Sequence, residues 1–206
     1  MSQGRERELK YLYAATNPPP LPDGWSLGAE GPLLTLRDTY LDADGALAER
    51  GWALRLRETQ DGERRYTLKR DASVAGALHS RDEIEAVALG ATGEVDLTAL
   101  PQEIRGEIER DFSPHTPALL RTAFSLTQRR RSWDLAHQGA MVAVMTVDQI
   151  TADETSWGEL EIEFISSLSD HEVERFVQEL HAALQENPQI SVSAESKGER
   201  ARRLSL

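Results

Sequence analysis

The chain has 206 residues, of which 39% are hydrophobic and 28% charged, with a formal net charge of −12 and no cysteine. This composition favours one globular domain over residues 1–206. It argues against a disordered chain, a membrane span, a signal peptide and nucleic-acid binding through a basic surface. Without cysteine there are no disulfides, thiolate metal sites or cysteine nucleophiles, which fits a reducing compartment, and we expect a cytoplasmic location.

The first predicted strand, residues 5–13, has charged residues at every second position. On a β-strand this spacing places Glu6, Glu8 and Lys10 on one face. Two carboxylates beside an ammonium group suit a metal cation and a phosphate better than they suit a hydrophobic core. A turn-rich segment with four prolines follows at residues 16–24, and a helix cannot cross it.

The rest of the chain reads as short strands joined by turns, with two longer helices. In order, the predicted elements are a strand at 33–41, a turn at 42–45, a helical turn at 46–50, a hairpin of strands 53–58 and 65–70 turning at 60–63, and a loop at 71–78. They continue with a strand at 81–87, a helix within 98–112 that starts after Pro101, a hairpin of strands 124–135 and 141–150, a strand at 158–165, and a helix at 171–186 capped by Asp170.

Charged residues repeat along single faces of these strands. Like charges two residues apart occur at Arg55 with Arg57 and at Glu159 with Glu161 and Glu163, and further faces carry Arg65 with Lys69 and Arg81 with Glu83 and Glu85. Residues two apart on a strand are separated by about 6.7 Å, and at an effective dielectric near 20 two like charges at that distance repel by roughly 2.5 kcal/mol. Solvent and salt reduce this cost, and so does a metal beside the glutamates or a phosphate beside the arginines.

Two arrangements of the strands follow from this pattern. An ordinary amphipathic sheet turns its apolar face inward and leaves its charges in water. Alternatively, the sheet closes into a barrel with the charged faces inward and helices over the apolar outside. Carboxylate oxygens suit Mg²⁺ or Mn²⁺, whereas Arg and Lys suit phosphate oxygens. The closed arrangement therefore predicts a lumen that fits a metal-bound polyphosphate.

An ordered set of motifs resembles the CYTH domain of the triphosphate tunnel metalloenzyme superfamily over nearly the whole chain. The motifs are Glu6-x-Glu8-x-Lys10, Ala53-Leu54-Arg55-Leu56-Arg57, Thr67-Leu68-Lys69, Arg81-Asp82-Glu83, Asp148 and the glutamate repeat at 159–163. Leu78-His79-Ser80-Arg81 and Ser196-Lys197 are most similar to those of bacterial inorganic triphosphatases. The resemblance implies an α+β fold, a closed eight-stranded antiparallel β-barrel or tunnel with a charged interior and helices packed outside. The four-proline loop departs from the pattern, because many relatives have a helix there.

The same resemblance implies a metal-dependent hydrolase of a small anionic triphosphate that uses two Mg²⁺ or Mn²⁺ ions and binds neither nucleic acid nor membrane. It implies that the metal ligands are Glu6, Glu8, Asp148, Glu161 and Glu163, with Glu159 as a substitute if the strand register slips by two. It implies that the phosphate-binding residues are Lys10, Arg55, Arg57, Lys69 and Lys197. It also implies that Lys10 and Glu83 act in catalysis, with Glu83 holding either a basic neighbour or a metal-bound water. Strand parity turns inward either Arg130, or Arg129 and Arg131, and the distance from Trp133 favours Arg130.

Inorganic triphosphate is the expected substrate, and three alternatives stay open. They are thiamine triphosphate, cyclisation of ATP as in class IV adenylyl cyclases, and non-catalytic binding of polyphosphate. Thiamine-specific relatives place a Trp two residues before the first Arg of the arginine pair, where this chain has Ala53, and Trp52 has the opposite strand parity. The basic residues near the C-terminus, Arg202 and Arg203, are expected to form a solvated tail, and the five histidines receive no role.

Overall fold

The computed structural model describes residues 2–90, 93 and 95–204. Its strands are β1 (Ser2–Tyr13), β2 (Trp25–Glu30), β3 (Leu34–Asp42), β4 (Ala53–Thr59), β5 (Arg64–Ala75), β6 (Leu78–Val87), β7 (Arg121–His137), β8 (Ala140–Ala152), β9 (Thr155–Phe164) and β10 (Ile190–Val192). Its helices are α1 (Ala46–Glu49), α2 (Gln102–Asp111), α3 (Thr116–Leu119), α4 (Asp170–Gln185) and α5 (Lys197–Leu204), with a 3₁₀ turn at Leu97–Ala99.

Eight of these strands close into a barrel because β1 pairs with β6 along one edge and with β9 along the other. The closed order is β1-β6-β5-β4-β3-β7-β8-β9, and every pairing is antiparallel. β10 extends the sheet beside β1, and β2 extends it beside β7. The prediction of a closed eight-stranded antiparallel barrel is confirmed, and the amphipathic sheet with solvent-facing charges is wrong.

The apolar faces of the strands point outward and are covered by helices. On one side, Ile104 and Ile108 of α2 pack on Leu54, Leu56, Tyr66 and Leu68. On another side, the apolar stripe of α4 packs on β1, β8 and β9, through Val173, Phe176, Leu180 and Leu184. Because alternate residues of a strand point to opposite faces, this outer packing turns the charged residues of the same strands into the lumen. None of the described helices has the length and apolar composition needed to cross a bilayer.

Three local predictions are wrong. The expected loop at 71–78 is an extension of the β5–β6 hairpin, in which Asp71 takes φ +52° at a bulge and the strands continue. The N-cap of α4 is Ser169, which forms a capping box with Glu172, and Asp170 is the first helical residue. The expected basic tail is helix α5, in which Arg202 pairs with Asp42 and Arg203 with Glu195.

Helix α5 closes one end of the barrel. Its Ala201 is fully buried in an apolar cluster inside that end, whose other members are Leu126, Ile150 and Ala152, with Tyr40, Phe124 and Trp157 packed against them. Ser196 and Glu199 exchange side-chain-to-backbone hydrogen bonds of 3.2 and 2.7 Å, which fixes the first turn of the helix. The short β10 brings the chain back beside β1 just before this turn. As a result, Lys197 enters the lumen from the closed end.

Candidate active site

The lumen contains a cavity of about 230 Å³ in which charged side chains of both signs meet. Six carboxylates line it: Glu6, Glu8, Glu83, Glu85, Glu161 and Glu163. Seven basic side chains line it as well: Lys10, Arg55, Arg57, Lys69, Arg81, Arg130 and Lys197. The structure therefore brings together nearly all of the residues that received a role from the motifs, and it also places Arg81 and Glu85, which received none, in the lining.

The carboxylates come from three adjacent strands, β1, β6 and β9, which form an acidic wall. Within it, Glu6 accepts hydrogen bonds from Lys69 at 3.1 Å and from Arg81 at 2.9 Å. Glu8 accepts from Arg81 at 2.6 Å and lies 3.0 Å from the Nζ of Lys10. Arg81 thus bridges the two glutamates of β1 and reduces the repulsion between them.

Glu161 is the most heavily paired carboxylate of the cavity. Its oxygens lie 2.7 Å from Lys10 Nζ, 2.5 Å from Lys197 Nζ and 3.1 Å from Arg130 Nη2. Burial alone would raise the pKa of Glu161, but the neighbouring positive charges, led by Lys10 and Lys197, hold it well below its ordinary value. Glu161 is therefore ionised at neutral pH.

The two lysines beside Glu161 are buried but stay protonated. Burial alone would lower the pKa of Lys10, yet Glu161 and Glu8 outweigh this effect and raise it. Burial likewise opposes the charge of Lys197, and Asp148 and Glu161 raise its pKa. Each lysine thus presents an ammonium group to the cavity that is charged at neutral pH.

The basic wall lies across the lumen on β4 and β7, and buried aspartates hold it. Asp38 of β3 accepts hydrogen bonds of 2.7 Å from both Nε and Nη2 of Arg57 and lies 3.6 Å from Arg55. Despite its burial, these two arginines lower the pKa of Asp38 to about 2. Sequence reasoning missed Asp38. The available signal was an ionisable residue on the strand face that otherwise carries Leu36 and Tyr40.

Asp148 plays the corresponding part for Arg130. It accepts hydrogen bonds of 2.8 and 2.6 Å from Arg130 and lies 3.0 Å from Lys197 Nζ. These two cations lower the pKa of Asp148 although burial opposes its ionisation. Asp148 is fully buried behind the cavity lining, so its predicted contact with a metal requires one of these ion pairs to open.

Glu159 also lies behind the lining, without solvent exposure. It accepts a 2.7 Å hydrogen bond from the indole of Trp157 and lies 3.6 Å from Lys197 Nζ. Burial raises the pKa of Glu159 even though Lys197 works against the shift. The register of β9 therefore gives the cavity positions to Glu161 and Glu163, and the register slip that would substitute Glu159 does not occur.

Lys69 and Glu83 face each other across β5 and β6 and form a close ion pair. Burial favours the neutral form of Glu83, but Lys69 outweighs it and lowers the pKa of the carboxyl. Of the two partners predicted for Glu83, a basic neighbour and a water, the structure contains the first.

The three consecutive arginines of β7 divide as strand parity requires. Arg130 faces the cavity, whereas Arg129 is exposed on the outer surface. Arg131 also lies outside, where it donates hydrogen bonds of 2.6 and 2.7 Å to Glu30 and 2.8 Å to the carbonyl of Thr16 in the four-proline loop. The alternative that placed Arg129 and Arg131 in the tunnel is wrong.

Glu163 differs from the other carboxylates because none of the described basic residues lies within ion-pair distance of it. It sits opposite Glu8 in the β1–β9 ladder, in a mouth that solvent reaches. The surrounding protein partly desolvates the Glu163 carboxyl, and the charges of Glu6 and Glu8 lie nearby. Together these effects raise the pKa of Glu163 to about 7. Negative charge is thus incompletely compensated at this point.

Among the described side chains, the unpaired carboxylate of Glu163, with Glu6 and Glu8 nearby, has the oxygen chemistry that suits a hard divalent cation such as Mg²⁺ or Mn²⁺. No ready-made cluster of three or more His, Asp or Glu ligands is present among the described residues. The ion pairs explain this, because Glu6, Glu8 and Glu161 are turned toward lysine and arginine. Ligands of the right chemistry are therefore present, and in this structure they are engaged in ion pairs.

Comparison with known proteins agrees with this architecture. The sequence model of the CYTH domain matches residues 4–201. Among solved structures, a candidate adenylyl cyclase from Hippeastrum, described as having a dominant triphosphatase activity, superposes with a TM-score of 0.65 at 16% identity, over 98% of this chain and 97% of that one.

Two further structures share the fold. The PH1819 protein of Pyrococcus horikoshii has a TM-score of 0.58 at 14% identity, over 96% of this chain and 99% of that one. A candidate adenylate cyclase of Bacillus halodurans has a TM-score of 0.57 at 19% identity, over 82% of each chain. No curated protein is significantly similar in sequence.

Proposed function

The chain belongs to the CYTH domain family, and we propose that it is a metal-dependent triphosphatase that cleaves inorganic triphosphate to diphosphate and phosphate. The observation that carries this proposal is the gathering of seven basic side chains in one cavity of a protein whose net charge is −12. Six carboxylates line the same cavity, so the cations would bind a compact polyanion together with divalent metal held by the carboxylates. The fold relative described as having dominant triphosphatase activity points to the same first assay.

The phosphate oxygens would bind along the basic wall and to the two buried lysines. Arg55, Arg57 and Arg130 offer guanidinium groups whose orientation the buried aspartates fix before substrate arrives. Because these groups are already desolvated and held in place, little ordering is required on binding. Lys10, Lys69 and Lys197 complete the cationic surround.

The acidic wall would hold the metal, which we expect to be two Mg²⁺ or Mn²⁺ ions. The proposed ligands are Glu6, Glu8, Glu161 and Glu163. Asp148 lies behind the cavity lining and would act by holding Lys197 and Arg130 in position. When bound, the metal supplies Lewis-acid activation of the phosphoryl group and of water. The carboxylates themselves would hold the metal.

The catalytic roles follow from the protonation states in the structure. Lys10 keeps its proton at neutral pH and would stabilise charge that develops on the phosphoryl and leaving oxygens. Glu83 is ionised and accepts from Lys69, so its free lone pairs would orient the attacking water. No nucleophilic side chain is needed, because water attacks the terminal phosphorus directly.

The test is release of phosphate from inorganic triphosphate with Mg²⁺ or Mn²⁺, in wild type, Lys10→Ala and Glu161→Gln. We expect each variant to lose at least about 100-fold in kcat/KM, since Lys10→Ala removes a cation that would stabilise the transition state and Glu161→Gln removes a charged proposed metal ligand. Glu154→Gln, in the exposed β8–β9 turn, is the matched control and should keep its activity. Full activity in both cavity variants would defeat the assignment.

Organic triphosphates are the second candidate, because a smaller cavity of about 120 Å³ opens beside the tunnel. It is lined by aromatic residues including Tyr40, Trp52 and Phe124, and it shares Lys69 and Arg81 with the main cavity. Product analysis separates the possibilities: thiamine diphosphate from thiamine triphosphate, cyclic AMP from ATP, or phosphate from triphosphate. Tight metal-independent binding without turnover in calorimetry would instead favour a non-catalytic polyphosphate-binding module.

A further inference from the structure

The basic wall continues past the triphosphate cavity toward the end of the barrel opposite α5. There a second cavity of about 220 Å³ lies at the start of β3 and β5, and it shares Arg55, Arg57, Arg130 and Glu85 with the central one. The two cavities are therefore neighbouring parts of one channel. The outer part adds one new cation, Arg65.

Arg65 is the direct cross-strand partner of Arg57 in the β4–β5 ladder, and both side chains face the channel. Like charges directly opposite one another on a sheet are unfavourable unless an anion lies between them. The two arginines are held differently. Asp38 fixes Arg57 from a buried position, whereas Arg65 pairs at the surface with Glu63 at 2.7 Å and Glu85 at 3.9 Å.

The carboxylates near Arg65 leave room for an anionic ligand. Glu85 accepts a 3.1 Å hydrogen bond from the buried Thr67 hydroxyl, which ties one of its oxygens to the barrel wall. Glu63 lies in the β4–β5 turn with more than half of its side chain exposed. Exposed ion pairs of this kind contribute little to stability, so a multivalent anion in the mouth can displace Glu63 from Arg65.

We propose that Arg57 and Arg65 form a mouth subsite that binds a fourth phosphoryl group, so that the channel takes linear polyphosphates longer than triphosphate. This rests on the proposed function, since the first three phosphoryl groups occupy the central cavity. The subsite is open to solvent beyond Arg65, so a longer chain can continue outward. Arg65 is thereby a specificity-determining residue for chain length.

The experiment measures calorimetric binding of inorganic triphosphate and tetraphosphate without divalent metal, so that no turnover is required. Wild type should bind tetraphosphate more tightly than triphosphate. Arg65→Gln should weaken tetraphosphate binding about 10-fold, as expected for loss of a charged hydrogen bond, and change triphosphate binding by less than about twofold. Arg65→Lys keeps the charge and should retain most of the preference.

Arg37→Gln is the matched control, because Arg37 is exposed on the outer face of β3 and its loss changes the net charge equally. It should leave both affinities unchanged. Equal loss for the two ligands in Arg65→Gln, or no preference for tetraphosphate in wild type, overturns the mouth subsite. A metal-dependent activity assay run in parallel separates the two proposals. Triphosphate turnover without a preference for the longer chain in binding would overturn only the mouth subsite. A preference for the longer chain without turnover would overturn only the proposed hydrolase activity.

Discussion

Asp38 receives two hydrogen bonds of 2.7 Å from the Arg57 guanidinium while having no solvent exposure itself. The pair joins the inner faces of β3 and β4 and is completed by Gln128, whose amide donates to Asp38 at 3.1 Å. A buried charge is tolerated only when it is paired and hydrogen-bonded. Asp38 therefore sets the direction of the arginine pair that faces the phosphate cavity.

We predict that Asp38→Asn lowers the free energy of unfolding by about 3 kcal/mol, because it leaves Arg57 and Arg55 without their buried counter-ion. Asp44→Asn should change it by less than about 1 kcal/mol, since Asp44 forms an exposed pair with Arg121. Asparagine also tolerates the positive φ of +54° at position 44. Urea denaturation measures both. Equal stability of the two variants would contradict the role of Asp38.

The same pair predicts how stability depends on pH. The pKa of Asp38 falls from an ordinary value of 3.8 to about 2 in the folded state. A lowered folded-state pKa stabilises the protein above about pH 4, and this contribution is lost as pH falls toward 2. The shift corresponds to roughly 2 kcal/mol. The stability gap between wild type and Asp38→Asn should therefore narrow over that range, which acid denaturation curves can follow.

Arg130 and Arg131 are adjacent in sequence but should respond oppositely to the same substitution. Arg130→Gln removes a cavity cation and leaves the buried Asp148 short of its bidentate partner, so kcat/KM should fall at least about 100-fold. Arg131→Gln breaks an external pair with Glu30 and should keep activity within about twofold. Steady-state kinetics at a temperature where both variants are folded checks this. Similar losses of kcat/KM in the two variants would contradict the assignment of Arg130 to the cavity and Arg131 to the outer surface.

Replacing either of two helical glycines by alanine should change the stability of the protein, but in opposite directions. At Gly198 of α5, a Cβ would lie 2.6 Å from the Tyr40 ring, so Gly198→Ala should destabilise by about 1–2 kcal/mol and raise KM by moving Lys197. At Gly106 of α2, no atom lies within 4 Å of such a Cβ. Gly106→Ala should therefore stabilise by up to about 1 kcal/mol through helix propensity. Thermal denaturation with kinetics tests the pair.

Divalent metal and triphosphate should bind cooperatively. In the free protein the carboxylates and the basic residues of the cavity neutralise one another. Phosphate oxygens that take the basic groups release carboxylates for the metal, so each ligand lowers the cost of binding the other. With a non-hydrolysable triphosphate analogue, the rise in Tm for both ligands together should exceed the sum of the separate rises. If the two rises in Tm are strictly additive, or if EDTA does not change the Tm measured with both ligands, the result would argue against a shared site.

Much of this architecture is readable from local pattern. The period-two alternation at Glu6, Glu8 and Lys10 predicted which residues share a strand face, because side chains of a β-strand alternate whatever the surroundings. The same alternation at 129–131 limited the inward arginines to two sets. It failed at residues 71–78, where small residues and a glycine resemble a loop but the β5–β6 ladder continues past a bulge.

The sequence by itself determined the strand faces, the charged repeats and the family motifs, since these depend on residue type and spacing along one segment. Only the tertiary structure decided that β1 pairs with β9, which turns the charged faces inward and brings Lys10 opposite Glu161. It also decided which charged side chains line the cavity and which are buried behind its lining. Asp38 is held by Gln128, and Asp148 and Glu159 lie beside Lys197; these partners are distant in the chain, and such long-range contacts carry no local signal.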